Sequence, residues 1–224
     1  MCGIVGYYTT KHTPTRRDSF ISLVEQSKLR GLHAFGVVGY EDGNYKLLRS
    51  HDLDTIEDYI QANEFEDAIA HTRYSTSGDW HVLDNNQPLD IDGYTLAFNG
   101  VISMKTKAQM EQEYNCKLTT DNDGELFINH LKAGGDPVDF VMNMAGSFAG
   151  IWYDPDGNMY ALRNERRPLW WFPYDADTIF IVSTKDIIKR AFTDPSVADL
   201  AVECSPGVLY SVDDLWRYNN ENFK

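Results

Sequence analysis

The chain has 224 residues, 42% of them hydrophobic and 13% aromatic, which excludes a disordered chain. Its 34 acidic against 20 basic side chains give a net charge of −14, a surface that opposes direct nucleic-acid or anionic-lipid binding. No apolar run reaches the ~20 residues of a membrane span, no secretory signal is visible, and three widely spaced cysteines (Cys2, Cys116, Cys204) form no zinc pattern and suit a reducing, cytoplasmic compartment.

Residues 2–9 read as a buried strand and 16–29 as a helix, with Asp18 or Ser19 as cap and Phe20, Leu23, Val24 and Ser27 on one face. "AFGVVGYE", the turn at 42–44 and "YKLLRS" read as a hairpin, "DLDTIEDYIQAN" as a short helix and "DAIAHTR" as a strand. From Tyr74 to Pro88 the period is lost, and a loop of that length in a compact domain is often functional. "YTLAFNG" is a strand ending in Asn-Gly, and helices are expected at 104–114, 123–133 and 137–145. Strands return in "GSFAGIWYD", "MYALRN", "LWWFPY" and "TIFIVST", followed by a helix near 185–192 and a last strand near 207–212. With no repeat or linker, residues 1–224 are expected to form a single domain. Antiparallel strand pairs with helices grouped between them predict an α+β fold with helices covering stacked sheets.

Cys2 follows the initiator methionine. If Met1 is removed, its thiol and its own α-amine share one residue, and an amine of pKa about 7.7–8.0 can take the thiol proton. The alternative is a structural cysteine in a strand. Asn99-Gly100 offers a side-chain amide and a backbone N–H for an oxyanion, or an ordinary hairpin turn. Arg73, at the mouth of the polar loop, suits a substrate carboxylate or is a solvated charge. Asp123 suits a substrate ammonium or caps a helix.

Taken in order, these segments resemble the class II glutamine amidotransferase domain of the N-terminal nucleophile hydrolase superfamily. "MCGIVGYY" resembles its opening, "RGLHAFG" its Arg-Gly-Pro-Asp-x-x-Gly segment, and "AHTRYSTSG" its Gly-His-Thr-Arg-Trp/Tyr-x-Thr-x-Gly segment. "NNQPL", "FNGVI", "NDGEL", "RNERRPLWW", "FIVSTK" and "CSPGVL" resemble later segments. The resemblance implies a four-layer αββα sandwich. It implies that Cys2 attacks the side-chain amide of L-glutamine, giving a γ-glutamyl thioester and ammonia, and that water then releases glutamate. Asn99 and Gly100 would form the oxyanion hole, Arg73 with support from Thr76 would bind the α-carboxylate, and Asp123 the α-ammonium. Arg30 and Gly31 would hold the nucleophile end. No cofactor or metal is implied.

The sequence departs from the family pattern at Leu32, His33, Ser77 and Phe98, and in a shortened stretch from Arg163 to Pro168. His33 and His71 are expected to be structural. No phosphate-binding Gly-rich loop is present, so the expected partner is a separate ATP-dependent amidating protein. By fold-level analogy, modification of a nucleobase precursor is one destination. The tail aromatics Trp216, Tyr218 and Phe223 either dock that partner or pack back on the domain. The rival functions are an amidase of the same fold acting on another γ-glutamyl amide, and a catalytically idle glutamine-binding or scaffold subunit.

Overall fold

Alternating side chains send each strand's odd and even residues into different layers, and the order of elements follows from that. The computed structural model describes residues 1–222, so Phe223 of the tail lies outside the described residues. The strands are β1 Gly3–Thr9, β2 Ala34–Glu41, β3 Asn44–Ser50, β4 Asp67–Arg73, β5 Leu89–Ile91, β6 Tyr94–Val101, β7 Ser147–Tyr153, β8 Met159–Arg163, β9 Trp170–Asp175, β10 Thr178–Val182, β11 Val202–Glu203 and β12 Tyr210–Ser211. The α-helices are α1 Pro14–Ser27, α2 Leu53–Gln61, α3 Lys107–Tyr114, α4 Glu125–Lys132, α5 Pro137–Asn143, α6 Lys185–Ala191, α7 Ser196–Asp199 and α8 Val212–Asn222.

Two antiparallel sheets stack face to face. One has the order β11-β9-β10-β1-β4-β2-β3 and the other β12-β8-β7-β6-β5. Between them lie Ile4, Val38, Ile69, Ala97, Ala149, Ile151 and Ile181. Their strand neighbours Val5, Tyr7, Val37, Ala70 and Phe180 face outward and are covered by Phe20, Leu23 and Val24 of α1, Ile56 and Ile60 of α2, and Ile187 and Ile188 of α6. On the far side, Leu96, Phe98, Phe148 and Trp152 pack against Met110 of α3, Leu126 and Phe127 of α4 and Val141 of α5. The layers are therefore α, β, β, α. Each fully buried Leu, Ile or Phe in these layers contributes about 1.5–3 kcal/mol.

The predicted face of α1 is correct, since Phe20, Leu23, Val24 and Ser27 are buried. Its cap is not. The helix starts at Pro14, and Thr13 accepts the Arg16 N–H at 3.3 Å, because proline fits the first helical position and lacks the N–H that needs no partner there. Helix α3 starts at Lys107, where Thr106 and Gln109 form a capping box. Asp123 caps nothing, for α4 begins at Glu125 behind Gly124 and the Asp123 carboxylate is used elsewhere. Asn99-Gly100 is not a hairpin turn. The strand runs through it to Val101, with Asn99 opposite Ala149 and Gly100 opposite Phe148.

The last strand is two residues long, Tyr210–Ser211 within the expected 207–212, and the tail after it, to which no element was assigned, is α8. Within it Leu215 is buried and Trp216 packs against the layer between the sheets, so this part of the tail folds back. Tyr218 meets Trp171 edge-on with ring centroids 6.3 Å apart. No helix among the described residues is long and apolar enough to cross a membrane.

Candidate active site

Strand parity brings the candidate residues together. Cys2 precedes β1 in phase with Ile4, Arg73 ends β4 in phase with Ile69, and Asn99 follows Ala97 on β6; Ile4, Ile69 and Ala97 all point between the sheets. β1 and β4 are paired with Gly3 opposite Thr72, which sets Cys2 beside Arg73. β6 belongs to the other sheet, and the Cys2 N–H donates across the gap to Asn99 Oδ1 at 3.2 Å. The site thus sits at one end of the sandwich.

Cys2 is 8% exposed. Its Sγ donates to the Tyr74 carbonyl at 3.5 Å and accepts the Tyr74 N–H at 3.4 Å. Burial pushes the thiol pKa up, opposed by the Tyr74 N–H and by the positive charges of Arg73 and Arg30. Arg30 Nε donates to the Cys2 carbonyl at 2.8 Å and so fixes the chain end. Gly31 allows this segment to lie against the Arg73–Tyr74 peptide: a Cβ there would stand 2.3 Å from the Arg73 carbonyl carbon and 2.4 Å from the Tyr74 nitrogen. Met1 is exposed and borders a cavity of about 370 Å³ with Arg30, Leu29, Tyr74 and Thr184.

Asn99 is 1% exposed, and its Nδ2 is buried without a hydrogen-bond partner among the described residues. The neighbouring Phe148 turns both its backbone groups to Asn164, accepting its N–H at 2.9 Å and donating to its Oδ1 at 3.1 Å. Opposed residues in antiparallel strands either exchange both bonds or neither, so Gly100 turns its N–H away from β7. Two donors of one dipeptide are thereby free of the β6–β7 ladder and of the Cys2 contact.

Arg73 is 2% exposed. Its Nη1 donates to the Asn85 carbonyl and Asn86 Oδ1, and its Nη2 to the Ser77 carbonyl, to Ser75 Oγ at 3.2 Å and to the Gly78 carbonyl at 3.4 Å. Asp123, also 2% exposed, accepts the N–H groups of Ile102 and Ser103 on Oδ2 at 2.7 and 3.0 Å and the Ser77 hydroxyl on Oδ1 at 2.9 Å. Burial pushes its pKa up against these donors. Thr76, expected to support Arg73, is exposed and borders a cavity of about 250 Å³ with Ser77, Gly78, Met104, Lys105 and Asp121; the side-chain hydroxyl that reaches Arg73 is that of Ser75.

Several structural residues were not picked out from the sequence. Asn85 and Asn86 hold Arg73, and Asn122 Nδ2 donates to the Asn85 carbonyl at 2.9 Å. Glu125 accepts the N–H and hydroxyl of both Thr119 and Thr120, at 2.6 to 3.0 Å, and so sets the approach to Asp123. The polar run "NNQ" and the Thr-Thr pair carried this signal only as composition. At His71, expected to be structural, burial, with help from Arg73, pushes the pKa down to about 3, and both ring nitrogens are buried without a hydrogen-bond partner among the described residues. His33 Nδ1 accepts the Ser75 N–H at 2.9 Å, and the ring stacks between Tyr74 and Trp80 at 5.1 and 5.3 Å.

The sequence model of the glutamine amidotransferase domain matches residues 71–190, which contain Arg73, Asn99, Gly100 and Asp123. The chain belongs to this family. Solved amidotransferases share its fold. The glutamine phosphoribosylpyrophosphate amidotransferase of B. subtilis, solved with ADP and GMP, superposes with a TM-score of 0.69 at 18% identity over 93% of this chain. A structure described as the allosteric regulatory enzyme of purine biosynthesis gives 0.68 at 20% identity, also over 93%. This amidotransferase domain spans 46% of the length of each of those two proteins. A glutamine aminotransferase class-II domain protein from Silicibacter pomeroyi gives 0.57 at 13% identity over 95% of this chain and 96% of its own. No curated protein matches the chain by sequence.

Proposed function

We propose that this domain hydrolyses the side-chain amide of L-glutamine with Cys2 as nucleophile and hands the ammonia to an acceptor enzyme on a separate chain. The observation that carries this reading is the buried Asn99 Nδ2, a donor without a partner on the residue that also binds the Cys2 nitrogen. Removal of Met1 would turn that nitrogen from an amide into an amine held by Asn99 Oδ1, and the amine would take the thiol proton directly or through one water.

The thiolate then adds to the amide carbon, and the oxygen that becomes negative is met by Asn99 Nδ2 and the Gly100 N–H. The amine returns its proton to the leaving nitrogen as the C–N bond breaks, releasing ammonia and leaving a γ-glutamyl thioester. Water adds to the thioester, and the thiol departs with glutamate formed. Arg73 offers a fork for the α-carboxylate and Asp123 a carboxylate for the α-ammonium. A reducing compartment keeps the Cys2 thiol available for this cycle. Residues 1–224 act as one glutaminase unit in this proposal, with the amidation step supplied by an ATP-using partner.

The test is the intact mass of purified protein after exposure to an electrophilic glutamine analogue. Loss of Met1 and a single adduct that Cys2→Ala abolishes are expected, along with glutamate and ammonia from L-glutamine. Retained Met1 with no adduct and no glutamate would overturn the proposal. A γ-glutamyl peptide turned over in preference to glutamine would replace the substrate.

A further inference from the structure

Arg73 and Asp123 are both buried charges, and a buried charge needs partners. One residue of the loop serves both. The Ser77 carbonyl accepts from Arg73 Nη2, and the Ser77 hydroxyl donates to Asp123 Oδ1 at 2.9 Å. An acceptor oxygen faces the guanidinium and a donor faces the carboxylate. A free α-amino acid presents the same polarity through its carboxylate and ammonium, with one bond fewer between oxygen and nitrogen than between the two Ser77 oxygens.

We propose that Ser77 is a specificity-determining residue that stands in for the amino-acid head group when the site is empty, so that glutamine binds by displacing it. This rests on the reading that Arg73 and Asp123 bind the α-carboxylate and α-ammonium. The surroundings suit an exchange of that kind. When Ser77 leaves, Arg73 Nη1 keeps Asn85 and Asn86, and Asp123 Oδ2 keeps the Ile102 and Ser103 N–H groups, so both charges stay in place. The loop is anchored on both sides of Ser77. His33 holds the Ser75 N–H on one side, and Trp80 stacks on His33 on the other. Gly78, at φ +66°, supplies a left-handed residue directly after Ser77. A ligand with a carboxylate but no α-ammonium meets one half of the pair and leaves the Ser77 hydroxyl on Asp123. Selection for α-amino acids therefore includes a contest with the protein's own loop, and affinity is set by the difference between the two sets of contacts.

The experiment is calorimetric titration of the Cys2→Ala protein with L-glutamine, with and without Ser77→Ala. Removing a competitor tightens binding: Kd should fall about tenfold, the effect of one hydrogen bond to a charged acceptor. Ser77→Thr, which keeps the hydroxyl, should bind with a Kd close to that of the Cys2→Ala protein alone. A Kd unchanged or raised by Ser77→Ala overturns the inference while the substrate reading stands. If none of the three proteins binds L-glutamine, the substrate reading falls and this inference falls with it.

Discussion

A buried amide nitrogen without an acceptor costs about 1–3 kcal/mol, and Asn99 carries that cost on the half of its side chain that faces the site. Its other half is bonded to the Cys2 nitrogen. The two halves predict different losses. Asn99→Asp keeps an acceptor for Cys2 but removes the donor, and steady-state kinetics should show kcat reduced by about 10²–10³ with little change in KM. A loss confined to KM would assign Asn99 to substrate binding instead. At this scale the sequence was readable where chemistry restricts the choice of residue: Cys2, Arg73, Asn99 and Asp123 converge as expected. It was unreadable where the role is acceptance of a backbone N–H. Many side chains can do that, so Glu125 and the histidine at position 33 carried no distinct signal before the contacts were seen, and neither did Asn86, which accepts from the Arg73 guanidinium.

Elements meet at this site through close backbone approach, and Gly31 is one such point. Gly31→Ala would press a methyl group into the Arg73–Tyr74 peptide from 2.3 Å, displacing Arg73 and the Tyr74 groups that flank Cys2 Sγ. Destabilisation of about 1–3 kcal/mol is expected from such overpacking, read as a lower urea midpoint, together with a fall in glutaminase activity. Unchanged stability would mean that the 28–31 segment moves freely away from β4. That β1, β4 and β6 are strands could be read in advance, but not which face each residue takes, because all three are buried on both faces and show no hydrophobic alternation. The end of β6 could not. Asn-Gly is a strong local turn signal, and only pairing with β7 carries the strand through it. For Asp123 likewise, an N-cap preference lost to the N–H groups of Ile102 and Ser103, which come from a distant part of the chain.

Across the whole molecule, hydrogen bonds tie the sheets together at both ends of the sandwich. Cys2 reaches Asn99 at the site end. At the other, Tyr153 of β7 donates to Asp67 of β4 at 2.5 Å, and Tyr45 of β3 shares a bond with Thr95 of β6 at 2.9 Å. Burial pushes the Asp67 pKa up to about 6, with the Tyr153 hydroxyl acting in the opposite direction. The folded state therefore holds a proton that the unfolded chain has already lost above about pH 4. Stability from this group is complete below that value and is lost as pH rises through about 6. Asp67→Asn should flatten the stability profile over this window and raise stability at pH 7.5 by about 1–2 kcal/mol, measured by urea unfolding at several pH values. A steeper profile in the variant would locate the titrating group elsewhere. The layered architecture was foreseeable from antiparallel pairs and grouped helices. The folding back of Leu215 and Trp216 was left open, because the helical spacing of Val212, Leu215, Trp216 and Asn219 suits a docking face as well as a packed one.

β1 lies in the interior of its sheet, with Val5 opposite Ala70 on one side and Val182 on the other. It is also made before either of these neighbours. One of its neighbours is synthesised about a third of the way along the chain and the other only after four fifths of it. During that interval β1 has at most one of its two strand partners. Cys2 is enclosed by Tyr74, Arg30 and Asn99, all of which follow it in the chain, so the order of synthesis places Cys2 ahead of every one of these groups that come to surround it.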